Sequence, residues 1–153
     1  MYTRLNLAKT NYKINCDWEI LDKTTSTLAT LDTIYKSYCA YKKFDSVLPL
    51  FKNELLNNQV IGYFQNAYDK DGFYTRKLIA FSVIVLLDEE NVENIQFAWD
   101  YKDPNLRVGI NSMETECAIY KELGYKYLYL GEEQEYFKQF DGYEELGPDA
   151  RAI

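Results

Sequence analysis

The chain contains no histidine. That removes the commonest metal ligand and the side chain whose ordinary pKa lies nearest neutrality. A zinc enzyme or a Ser-His-Asp hydrolase would lack its usual residues. Cysteine is scarce as well. Cys16, Cys39 and Cys117 stand far apart, form no CxxC pair and are odd in number. Reduced thiols and a cytoplasmic setting are therefore expected. No apolar run reaches the ~18–20 residues that span a bilayer, and the opening MYTRLNLAKTNYK has no signal-peptide core. No membrane contact is expected. Cations are in the minority, with 17 Lys and Arg against 24 Asp and Glu, a net charge of −7 and a pI of about 4.7. Such a surface repels nucleic acid on average and suits a basic partner.

What is present argues for an ordinary folded domain. The 153 residues are 47% hydrophobic and 16% aromatic, with 15 tyrosines. A single domain over residues 1–153 is the natural expectation. No 20–50-residue period recurs, so a solenoid is excluded. Asn11 to Ile20 alternate loosely, as a first strand would. Thr24, Thr25 and Ser26 offer helix caps. Beyond them Leu28, Leu31, Ile34, Tyr35, Tyr38 and Tyr41 recur at helical spacing to about Lys43. A second helix is expected from Asp45 or Ser46, with Pro49 in its first turn.

Strands follow. QVIGYFQNA (Gln59 to Ala67) leads into the turn DKDG, a hairpin signal. LIAFSVIVLL (Leu78 to Leu87) is apolar throughout and rich in β-branched residues, which suits a central strand covered on both faces. Val92 to Trp99 is a third strand, broken by Asp103-Pro104-Asn105. A helix from about Asn111 to Leu123 ends at Gly124, a C′ position. A short strand, Lys126 to Gly131, precedes a short helix from Glu132 to Gln139 and a last strand or tail.

Three pieces of the second half carry a resemblance: KLIAFSVIVLLDEENVENIQFAWDYKDPNL, the fifteen-residue interval from Gly109 to Gly124, and KELGYKYLYLG. Together they resemble the C-terminal domain of arginyl-tRNA–protein transferases, within the GNAT-like acyltransferase superfamily. The likeness implies an α/β fold with a mixed, mostly antiparallel central sheet and helices on both faces. It also implies an N-acyltransferase that moves an acyl group to an amine, from acetyl-CoA or another acyl-CoA. The alternatives it leaves open are transfer from an aminoacyl-tRNA and a non-catalytic protein-binding module. The acceptor would be a small-molecule or peptide amine, or a basic protein, in keeping with the acidic surface. A charged tRNA is the one nucleic acid the resemblance admits.

Candidate site residues fall in three places. The segment Arg107, Val108, Gly109, Ile110, Asn111 and Ser112 runs from a strand into a helix N-terminus, where free amides and the helix dipole suit a phosphate. It resembles the superfamily's CoA pyrophosphate loop, with Asn111 in place of the second glycine; the plain alternative is a simple strand-to-helix turn. EQEYFKQFDGYEELG resembles the segment in which a tyrosine protonates the leaving group, which here would be Tyr136. Its plain alternative is core packing. Without histidine, deprotonation of an attacking ammonium falls to a carboxylate. Asp100, at a strand end, is the leading choice over Asp103, Glu114 and Glu116.

Overall fold

The computed structural model describes residues 1–42, 52–100 and 107–148. Its elements are β1 (Tyr2–Asn6), β2 (Asp17–Ile20), α1 (Thr25–Lys42), α2 (Lys52–Asn57), β3 (Gln59–Tyr68), β4 (Tyr74–Leu86), β5 (Asn91–Trp99), α3 (Val108–Glu122), β6 (Tyr127–Glu132) and β7 (Tyr143–Gly147). Short 3-10 segments cover Leu7–Lys9 and Glu135–Gln139. The expected caps Asp45 and Ser46, Pro49, and the strand breaker Asp103-Pro104-Asn105 lie outside the described residues.

The seven strands form one sheet in the order β2-β3-β4-β5-β6-β1-β7. β2 pairs antiparallel with β3, and β1 lies antiparallel between β6 and β7. The connections β3–β4 and β4–β5 are too short for a crossover, so these neighbours are also antiparallel. Only β5 and β6 run parallel, Val92 opposite Leu128, with α3 as the crossover. The mixed, mostly antiparallel sheet expected from the sequence is thus present. Ile79 to Ile84 are buried without a break. Consecutive strand residues face opposite ways, so the middle of β4 is covered on both faces.

Local chemistry accounts for most boundaries. Thr24 accepts the Thr27 amide on its hydroxyl (3.2 Å) and so caps α1. At the β3–β4 turn, Asp69 accepts the amides of Asp71 and Phe73 on one carboxylate oxygen. Asp88 does the same for Glu90 and Asn91 before β5. α3 ends as its Gly124 foretold. Gly124 donates to Lys121 (3.1 Å) and Tyr125 to Tyr120 (2.9 Å), the paired bonds of a Schellman motif. The rings of Tyr120 and Tyr125 meet edge to face across it.

Two expectations need correction. The first strand is not Asn11 to Ile20: only Asp17–Ile20 pairs, and β1 precedes it. β1 is five residues long, and its stability comes from two flanking partners that its sequence does not show. The final helix is a five-residue 3-10 segment, and its expected start, Glu132, belongs to β6.

Residue contacts gather into two compact units. One comprises Met1–Asn15, Ile84–Ile95 and Met113–Ile153; the other comprises Cys16–Val83 and Gln96–Ser112. In the second, Leu31, Ile34, Tyr35 and Cys39 of α1 pack with Leu55, Val60, Phe81, Val83 and Ala98. In the first, Leu5, Leu7, Val92, Cys117, Tyr120, Leu128, Phe137 and Phe140 are buried. No helix among the described residues is long and apolar enough to cross a membrane.

Candidate functional site

The segment expected to be a phosphate-facing loop is mostly helix. α3 begins at Val108, three residues before the expected Asn111, so Val108 to Ser112 make up its opening turns. The chain turns at Arg107, whose φ of 50° lies in the left-handed region. The Asn111 amide donates to the Arg107 carbonyl at 3.1 Å, the first bond of the helix. The Ser112 hydroxyl donates to the Gly109 carbonyl at 3.0 Å. Val108 and Ser112 are buried and Arg107 is exposed; Gly109, Ile110 and Asn111 are half-buried. The amides of Val108, Gly109 and Ile110 have no acceptor inside the helix. With Arg107 beside them, they form the part of the segment that suits an anion.

Asp100 follows the last residue of β5. Its amide donates to the Ile79 carbonyl at 2.8 Å, which fixes the backbone. Its carboxylate accepts from the Ser37 hydroxyl of α1 at 3.2 Å. The side chain is half-buried, placed to meet both protein and solvent. Ser37 was not legible as a partner, since it is an ordinary polar helix position. Asp100 and the residues 107–112 belong to the same compact unit.

Tyr136 belongs to the other unit. It lies in the 3-10 segment and remains 38% exposed. Its ring meets Phe140 edge to face at 5.4 Å and Phe137 at 5.9 Å. The phenol therefore stands at the rim of a packed aromatic group.

The two helical carboxylates separate clearly. Glu114 is half-buried. Glu116 is fully buried and accepts from the Asn94 side-chain amide at 2.7 Å. Beside it, the Thr115 hydroxyl donates to the Asn15 side chain at 2.9 Å. Burial, with the charge of Glu116 adding to it, pushes the Cys117 thiol and the Tyr120 phenol well above their usual ranges. Glu116 is thus a buried carboxylate held by a hydrogen bond from β5. No group of three or more His, Cys, Asp or Glu side chains among the described residues could hold a metal ion.

The described residues thus hold a mixed, mostly antiparallel sheet, a strand-end carboxylate and a helix start suited to an anion. The family can be stated directly. Residues 29–139 match the family model "Arginine-tRNA-protein transferase, C terminus", and the chain belongs to that family. No curated protein sequence matches significantly.

Solved structures share the fold. One is the C-terminal DUF2156 domain of a protein assigned as a lysylphosphatidylglycerol synthetase from Agrobacterium fabrum. It is 15% identical with a TM-score of 0.56, covering 85% of this chain and 45% of its own. L-PGS from Bacillus licheniformis is 14% identical with a TM-score of 0.57 and the same coverage. A GCN5-related N-acetyltransferase from Kribbella flavida aligns more loosely, at 12% identity and a TM-score of 0.47, over 94% of this chain and 52% of its own. The chain spans about half the length of these structures.

Proposed function

We propose that this domain transfers an aminoacyl group from a charged tRNA to an amine acceptor. The carrying observation is the family match across residues 29–139, which takes in Asp100, the first turns of α3 and Tyr136. The acyl-CoA donor that the GNAT-like resemblance implied is the second reading. The first turn of α3 favours it, since those amides suit the pyrophosphate of CoA as well as a tRNA phosphate.

In the proposed reaction the acceptor enters as an ammonium and loses a proton to Asp100, directly or through water. The freed nitrogen attacks the ester carbonyl carbon. The new N–C bond forms, the ester C–O bond breaks, and the ribose oxygen leaves with a proton. That proton is the second one shed by the attacking nitrogen, relayed through water. The amides of Val108, Gly109 and Ile110, with Arg107, hold a donor phosphate, so that position carries part of the rate. The net charge of −7 attracts a cationic acceptor.

The test offers the protein radiolabelled arginyl-tRNA and labelled acetyl-CoA side by side, with a peptide bearing a free amine. Label moving from the tRNA to the peptide is expected. Transfer from acetyl-CoA alone would establish the second reading. Transfer from neither donor, with a peptide complex still formed, would leave a binding module.

A further inference from the structure

The hydroxyls along α1 do not all behave alike. Thr30 donates to the Ser26 carbonyl at 3.0 Å, and Thr33 donates to the Ala29 carbonyl at 3.1 Å. Each bonds its own helix four residues back, the usual resort of a hydroxyl inside a helix. Ser37 lies one turn beyond Thr33 on the same stripe. Its hydroxyl leaves the helix and donates to Oδ1 of Asp100 at 3.2 Å, across 63 residues of sequence.

Packing holds both ends of that bond. Ile34, a turn before Ser37, and Ala98, two residues before Asp100, are buried in one core. The Asp100 amide donates to the Ile79 carbonyl at 2.8 Å, so β4 fixes the backbone that carries the carboxylate. Rotation of the Asp100 side chain is the freedom that remains, and the Ser37 hydroxyl opposes it. A carboxylate acceptor makes this bond stronger than one between neutral groups. α1, the end of β5 and the start of β4 belong to the same compact unit.

We infer that Ser37 is a positioning residue for Asp100: its hydroxyl holds the carboxylate in the orientation from which it takes the acceptor's proton. That role rests on the proton transfer assigned to Asp100 above. In that step an ammonium N–H bond breaks and an O–H bond forms on the carboxylate, while Ser37 keeps its own hydrogen. A base must stand within hydrogen-bond reach of the proton it takes, and misplacement by about 1 Å costs up to about 100-fold in rate. Ser37 serves the acceptor side of the reaction, so its role is the same for an aminoacyl-tRNA and an acyl-CoA donor.

The test is single-turnover transfer to a peptide amine, from labelled arginyl-tRNA or labelled acetyl-CoA, whichever the wild type uses. Wild type, Ser37→Ala, Asp100→Asn and the double variant are compared. Ser37→Ala should slow transfer about tenfold, the worth of one hydrogen bond to a charged group, with the KM for the donor unchanged. In the Asp100→Asn background the same replacement should change the rate by less than about twofold, because the carboxylate it positions is gone. Thr33→Ala, which removes a hydroxyl from the same stripe, should match wild type. Alanine favours helix, so circular dichroism should show α1 intact in both alanine variants. Wild-type speed in Ser37→Ala would overturn the role of Ser37 and leave transfer standing. A tenfold loss in both backgrounds would overturn it too, since damage that ignores Asp100 is not positioning. No transfer by the wild type from either donor would overturn the reaction itself, and this role with it.

Discussion

Gly142 leads the chain from the 3-10 segment that bears Tyr136 into β7, and its replacement by alanine should be severely destabilising. Its φ is 78°, which costs a residue with a Cβ about 1–2 kcal/mol. The added Cβ would also lie 2.4 Å from the Asn6 carbonyl oxygen and 3.1 Å from the Asn6 nitrogen, both main-chain atoms of β1. Relief requires β1 to retreat by roughly 1 Å, at an overpacking cost of about 1–3 kcal/mol. That shift stretches the 2.8 Å bond from the Asn6 amide to the Gly142 carbonyl, worth about 1 kcal/mol. A total of about 3–6 kcal/mol follows. Gly72 and Gly124 supply internal controls. Their φ values are 83° and 96°, but nothing lies within 4 Å of an added Cβ, so only the conformational cost of about 1–2 kcal/mol applies. With a urea slope near ~2 kcal/mol/M, the midpoint should fall by roughly 0.5–1 M in either control and by roughly 1.5–3 M in Gly142→Ala. Equal shifts in all three variants would show that the approach of β7 to β1 is looser than described.

The Asp17–Arg76 pair should make stability pH-dependent. Arg76, with help from Asn66, lowers the Asp17 carboxyl from 3.8 to about 2. A depressed carboxyl stabilises above its unfolded pKa, so this contribution is full above about pH 4 and lost on descent to about 2. The difference in thermal midpoint between wild type and Asp17→Asn should shrink across that interval; a constant difference would contradict it. Glu116→Ala should cost about 2–4 kcal/mol through a cavity and the lost bond from the Asn94 amide. Glu116→Gln, which keeps volume and an acceptor, should cost clearly less in urea unfolding, and equal losses would contradict the hydrogen-bond account. Iodoacetamide on the native protein should modify Cys16 first, since Cys39 and Cys117 are buried and burial pushes the Cys117 thiol up. Prior labelling of Cys117, read by peptide mass, would argue against its burial.

Much of the architecture could be read from residue pattern because local and tertiary demands agree in it. LIAFSVIVLL is apolar in both parities and lies where both faces are covered. Asp69, Asp88 and Gly124 act at the turns and helix end where their chemistry placed them. Failures came where distant partners decide. β1 is too short to declare itself and is held by β6 and β7. The start of α3 was hidden because an arginine in the left-handed region turns the chain. Asp100 was legible as a strand-end carboxylate, but its bond from Ser37 depends on a helix more than sixty residues earlier. Tyr68, Phe73 and Tyr74 were legible only as part of the β3–β4 hairpin, since nothing in QNAYDKDGFYTRK distinguishes an exposed ring from a half-buried one. Glu116 and Asn94 carry no mark of a pair, being two polar residues among several on α3 and β5.

The central claim is that Asp100 assists amine attack on an aminoacyl ester. Single-turnover transfer from radiolabelled arginyl-tRNA to a peptide amine, comparing wild type with Asp100→Asn, tests it most directly. The account predicts a rate lower by about 10²–10⁴, with the affinity for charged tRNA unchanged. Equal rates in the two proteins would contradict the role given to Asp100, and no transfer by the wild type would contradict the reaction itself.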